Sequence, residues 1–130
     1  MIFGIGTDCV EVKRIENLLG QFDEKAVNRL FTKEEQEKAT RAACAEGQMR
    51  TFAKRYAAKE AFAKALGTGI GALEFKDIEV VNLPSGAPVI RLSDKGQKIL
   101  TEKTQSSDVR VHLSLSDERE MALAFVVIEI

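Results

Sequence analysis

Apolar positions recur along this chain in two rhythms, which divide it into extended and helical stretches. Ile2–Thr7 is a short apolar run in which Gly4 and Gly6 alternate with Phe3 and Ile5. That alternation predicts a strand with one bare face that admits close packing. The same period of two puts Asp8 on the glycine side, at the strand's end. Val12, Ile15, Leu18 and Leu19 form a stripe at helical spacing, predicting a helix from Val10 that Gly20 can stop. Asp23–Leu30 predicts a further short helix. Thr32 followed by Glu35 is a capping-box pattern that opens a polar helix through Ala43. Ala45–Gln48 reads as a turn centred on Gly47, and a long helix then runs from near Gln48 to Gly67.

Beyond that helix the rhythm changes. Ile78–Val81 and Val89–Leu92 predict two strands about a turn containing Pro84 and Gly86. Ser93 can cap a short helix through Thr101. In Val109–Ser116 the residues Val109, Val111, Leu113 and Leu115 face one way, and Arg110, His112, Ser114 and Ser116 the other. The polar turn Asp117–Glu120 leads into Met121–Ile130, an almost unbroken apolar run. Such a strand is expected to be buried on both faces, or covered on one by a partner subunit.

Composition narrows the function classes. With 130 residues, 45% of them hydrophobic, the chain supports a single domain, 1–130, with a real core. A net charge of −1 argues against general nucleic-acid binding. No apolar run reaches membrane-spanning length. Cys9 and Cys44 have no metal-ligand spacing and, with no secretory signal, read as reduced thiols of a cytoplasmic protein.

The candidate chemistry centres on Arg55–Gly71. Glu60 and Lys64 stand four apart on one helix face. Gly67, Thr68 and Gly69 follow, so a carboxylate, an ammonium and a flexible loop lie within about two helical turns. That set suits a metal-bound phosphate. A solvated Glu–Lys pair with a glycine C-cap gives the same pattern. Arg50, Lys54 and Arg55 are either exposed cations or anion contacts. Asp8 is either a helix N-cap or a ligand, and Lys13 and Arg14 are either a solvated face or a dock for an acidic partner. His112, the chain's one histidine, reads as a hydrogen-bonded structural residue or a functional one. Cys9 reads as packing.

Four ordered blocks carry a resemblance: GIGTD at Gly4–Asp8, KRI at Lys13–Ile15, AKRYAAKEAFAKALGTGIG at Ala53–Gly71, and HLSLSD at His112–Asp117. Together they resemble the holo-acyl-carrier-protein synthases, the small bacterial 4'-phosphopantetheinyl transferases. Many members end the last block with histidine, where this chain has Asp117. The resemblance implies an α+β fold, with an antiparallel sheet and a long packed helix, assembled as a homotrimer with sites at subunit junctions. It implies transfer of phosphopantetheine from coenzyme A to a serine of apo acyl carrier protein, with release of 3',5'-ADP. Asp8 and Glu60 match the family's Mg2+ ligands, Lys64 its phosphate-binding lysine, and Arg14 a carrier-docking residue of the first helix, with Lys13 beside it. Arg55, Gly67, Thr68, Gly69 and His112 are the candidate contacts to coenzyme A, His112 alternatively orienting the attacking serine. A non-enzymatic carrier- or coenzyme A-binding module and a Mg2+-dependent nucleotide phosphohydrolase are the competing classes.

Overall fold

In chain order the elements are β1 (Ile2–Glu11), α1 (Val12–Leu30), α2 (Lys33–Thr40), α3 (Ala45–Leu66), β2 (Ile78–Asn82), β3 (Pro88–Leu92), α4 (Asp94–Thr104), β4 (Arg110–Asp117) and β5 (Met121–Glu129). They come from a computed structural model that describes residues 1–130, the side chains of residues 21–23 apart. β1, β5 and β4 form an antiparallel sheet in that order, and β2 and β3 a separate hairpin. The architecture is α+β, with α3 laid across one face of the three-stranded sheet.

Small residues make that packing close. A Cβ on Gly4 would lie 2.0 Å from the Ala65 carbonyl oxygen, and one on Gly6 2.0 Å from that of Ala61. Any side chain at either position would drive the helix off the sheet. Ala57, Ala58, Ala61 and Ala65 are buried in α3 against Ala122, Ala124, Val126 and Ile128 of β5. Phe31 and Phe52 extend the core between the helices, their rings 4.7 Å apart.

Several boundaries differ from the sequence reading. β1 continues four residues past Thr7, so Asp8 is paired with Ala124 in mid-strand and is no N-cap; Glu11 occupies that position. Gly20 does not stop α1, which absorbs the predicted Asp23–Leu30 helix. An exposed glycine inside a helix costs about 1 kcal/mol, and the stripe of Val12, Ile15 and Leu19 resumes at Leu30. Gly47 lies in the first turn of α3, because Cys44 Sγ accepts from the Gly47 N–H at 3.4 Å and caps the helix. The predicted capping box of Thr32 and Glu35 is formed.

Glu35 does more than cap. It is fully buried, and its Oε1 accepts from Lys59 Nζ at 2.6 Å and from the Thr32 N–H at 3.0 Å. Its Oε2 accepts from the Val80 N–H at 3.0 Å, while Lys59 Nζ also donates to the Leu30 carbonyl at 2.6 Å. Burial lowers the Lys59 pKa, and the charge and hydrogen bond of Glu35 oppose that loss. One ion pair thus joins α1, α2, α3 and β2.

The far face of the sheet has no helix over it. Ile5, Leu123 and Phe125 are 59%, 44% and 41% exposed there. β5 is therefore buried on one face only within a single chain, which corrects the first of the two alternatives read from its sequence.

Candidate active site

The contact of α3 with β1 places the acidic residues. Gly4 lies at the level of Ala65 and Gly6 at the level of Ala61. Two strand residues advance roughly 6.6 Å, close to the ~6 Å of four helical residues. The next residue on that strand face, Asp8, therefore falls beside the turn that holds Glu60. Lys64 donates from Nζ to the Thr7 carbonyl at 2.9 Å and to Asp8 Oδ1 at 3.1 Å. Among the described residues its carboxylate partner is Asp8 of the neighbouring strand, not Glu60 one turn back.

Tyr56 lies one turn before Glu60 on the same helix face. Burial first, then the charge of Glu60, push its phenol pKa up; Asp8 and a hydrogen bond with Glu60 add to this, and Arg14 opposes it. Both carboxylates and the Arg14 guanidinium thus act on one hydroxyl, which stays protonated and able to donate. The ring stacks on Phe75 at 5.3 Å, fixing its position. Sequence reasoning missed Tyr56; its signal was the four-residue step Tyr56, Glu60, Lys64 along one face. Lys13 and Arg14 are exposed at the start of α1, beside this cluster.

The Gly67–Gly69 loop closes α3. Gly67 and Gly69 take left-handed φ values of 80° and 65°. The N–H groups of Gly67, Thr68 and Gly69 turn back to the Ala63 carbonyl at 3.0, 3.2 and 3.4 Å, closing the helix. These donors are engaged within the chain. The loop's free polar group is the Thr68 hydroxyl, buried with no hydrogen-bond partner.

Four candidate contacts lie away from the cluster. Arg55 is buried on the opposite side of α3 and donates to Asn82 Oδ1 at 2.7 Å, with Nε unpartnered. Its pKa is lowered by burial, against the charge of Glu35. Arg50 and Lys54 meet Asp117 at 3.7 and 3.1 Å, so the residue that departs from the family pattern neutralises two of the three cations. His112 sits on the uncovered sheet face, its Nε2 2.9 Å from Glu129 Oε2. The sheet itself separates His112 from Asp8 and Glu60 within one chain. Cys9 is exposed on that same uncovered face, correcting its reading as packing.

Two carboxylates from different elements, Asp8 and Glu60, both half-buried, are a hard-oxygen donor set. Among the described residues no group of three or more His, Cys, Asp or Glu could hold a metal. Such a pair suits Mg2+, which keeps waters and fills its shell with substrate phosphate oxygens, and does not suit zinc.

The fold and this cluster define a small transferase class. The family model of the 4'-phosphopantetheinyl transferase superfamily matches residues 4–126, and the chain belongs to that family. It is 47% identical over 131 aligned residues to the holo-[acyl-carrier-protein] synthase of Cereibacter sphaeroides, with 99% of this chain and 93% of that protein covered. The crystal structure of the holo-[acyl-carrier-protein] synthase from Neisseria meningitidis superposes with a TM-score of 0.87 at 43% identity over the full length of both chains. That of the Bacillus anthracis synthase, in complex with CoA (3',5'-ADP), gives 0.79 at 38% identity, covering 99% and 97%.

Proposed function

We propose that this protein transfers 4'-phosphopantetheine from coenzyme A to a serine of apo acyl carrier protein. The observation that carries this reading is the contact of Lys64 Nζ with Asp8 Oδ1, 3.1 Å, where β1 crosses α3, with Glu60 one turn before Lys64 on the same helix. The serine oxygen attacks the phosphorus that bears the pantetheine arm. A new P–O bond forms to serine as the pyrophosphate P–O bond breaks, the hydroxyl proton passes to a base, and 3',5'-ADP departs.

Asp8 and Glu60 would hold Mg2+, which supplies charge neutralisation at the pyrophosphate oxygens. Lys64, half-exposed beside Asp8, binds phosphoryl oxygens as their charge redistributes. The Tyr56 hydroxyl, kept protonated by burial and by the charge of Glu60, is a neutral donor beside the cluster. Lys13 and Arg14 offer the acidic carrier a cationic landing beside the cluster. Thr68, whose buried hydroxyl has no hydrogen-bond partner, remains a candidate contact to coenzyme A.

The apolar residues on the uncovered sheet face support a homotrimer whose copies pack there. In such an assembly His112 and Arg55 are the candidate contacts to coenzyme A at the subunit junctions. Sedimentation equilibrium tests the assembly: a monomer at micromolar concentration refutes it. The activity is tested by incubating the protein with coenzyme A, Mg2+ and apo carrier, then weighing the carrier. A phosphopantetheine adduct supports transfer, free phosphate without adduct supports a hydrolase, and neither product supports a binding module.

A further inference from the structure

The register of β4 on β5 opposes His112 to Val127 and Arg110 to Glu129. Directly opposed residues share a sheet face, and diagonal neighbours on that face are within reach of long side chains. Glu129 therefore stands opposite Arg110 and diagonal to His112, on the face that α3 leaves open. Its carboxylate lies 2.9 Å from His112 Nε2 and 4.0 Å from Arg110 Nη1. The hydrogen bond to His112, followed by the charge of Arg110, holds the Glu129 carboxyl below the usual range, so it is ionised at neutral pH. An ionised carboxylate only accepts, which assigns the Nε2 proton. Nδ1 is then the ring nitrogen left for another group.

We propose that Glu129 is the positioning residue of His112: by accepting from Nε2–H it fixes the imidazole on the open sheet face and presents Nδ1 to coenzyme A at the subunit junction. The inference rests on the reading of His112 as a coenzyme A contact. Arg110, on the other side of the carboxylate, restrains Glu129 so that its acceptor oxygen stays beside the ring. Two strands of one sheet hold all three side chains, so the ring's orientation is built by sheet register and not by a loop.

The test uses the full-length protein and four variants: Glu129→Ala, Glu129→Gln, His112→Ala and the double Glu129→Ala/His112→Ala. Glu129→Ala is expected to lower kcat/KM for coenzyme A about fivefold, in the range of exposed charge pairs, while KM for the carrier stays unchanged. Glu129→Gln, whose amide oxygen still accepts from Nε2–H, is expected to recover most of the loss. In the His112→Ala background, Glu129→Ala should add nothing, because the group it acts through is gone. Fully additive losses overturn the proposal, since they mean that Glu129 acts by another route. Because His112 is the sole histidine, its ring gives one set of resonances in histidine-labelled protein. The Nε2–H proton should be visible in the parent and exchange-broadened in Glu129→Ala; no such proton in the parent overturns the pair itself. An impaired His112→Ala beside an unimpaired Glu129→Ala overturns the positioning role alone. A His112→Ala variant with parental activity overturns the coenzyme A contact and this inference together.

Discussion

Removing either member of the Lys59–Glu35 pair tests what holds α3 in place. Lys59→Met deletes the ammonium, leaving the Glu35 carboxylate buried and charged and the Leu30 carbonyl without its donor. Breaking a buried ion pair by taking one partner costs about 3–5 kcal/mol, and the orphaned carbonyl acts in the same direction. With ~4 kcal/mol lost, the Tm of a domain this size should fall by roughly 12–20 °C. The measurement is chemical and thermal unfolding at one fixed protein concentration, since assembly shifts apparent stability. The double variant Lys59→Met/Glu35→Leu separates two accounts. An isolated pair can be replaced by apolar residues with little loss. This pair also serves the Thr32 and Val80 N–H groups and the Leu30 carbonyl, and each buried group left unsatisfied costs about 1–3 kcal/mol. The double variant should therefore stay destabilised by at least about 2 kcal/mol. Parental stability in Lys59→Met, or full recovery in the double variant, refutes the reasoning. Glu35→Gln adds a pH signature. Burial already lowers the Lys59 pKa, and Glu35 opposes that shift, so its loss lowers the pKa further. The unfolded chain then binds more protons in the window between the folded value and about 10.4, and stability rises with pH there. A flat profile would contradict the desolvation argument.

Asp8→Asn and Glu60→Gln should each reduce kcat about a hundredfold at limiting Mg2+, with partial recovery at high Mg2+ and an unchanged circular dichroism spectrum; normal turnover at limiting Mg2+ removes them from the metal site. Arg14→Glu should raise KM for the carrier about tenfold and leave KM for coenzyme A unchanged; equal effects on both rule out a docking role. Asp77 is disfavoured as a charge by burial, but the Ser93 hydroxyl at 2.7 Å, the Glu74 N–H at 2.8 Å and Lys95 outweigh this and lower its pKa. Its contribution is present above the unfolded value of about 3.9 and lost as pH falls through the lower folded one. Asp77→Asn should flatten acid unfolding below about pH 4, and an unaltered acid limb contradicts that assignment.

Element types were legible wherever one period dominated. The alternation in Val109–Ser116, the glycine-faced first strand and the Thr32–Glu35 capping box all correspond to observed elements. Boundaries failed where a glycine stood in for a stop. Gly20 and Gly47 are both helical, because neither position needs the left-handed backbone that glycine alone reaches easily, whereas Gly67 does need it and does end its helix. Glu35 was legible as a cap and illegible as half of a buried ion pair. Its partner lies 24 positions away, and polar sequence around α2 disguised a buried carboxylate as surface.

The position of Asp8 was readable for a related reason. It lies beside α3 because the periods of strand and helix nearly match when one lies along the other, and the spacings Gly4, Gly6, Asp8 and Ala65, Ala61 already contain that match. Single-residue roles that depend on a second element were not readable: the Lys64–Asp8 pair, the Arg55–Asn82 bond and the Thr68 hydroxyl all appear only once the elements pack. α3 itself explains why stability and chemistry are joined here. Arg55 and Lys59 lie on the face toward β2 and α2, and Tyr56, Glu60 and Lys64 on the face toward β1. A rotation of about 100° per residue turns neighbours in sequence to different sides, so Lys59 anchors the helix to the core while Glu60 lies on another side. Loosening the anchor rotates or lifts the same rigid rod that carries Glu60, and on the proposed metal role a Lys59 variant that still folds should therefore lose Mg2+ affinity before it loses helical content.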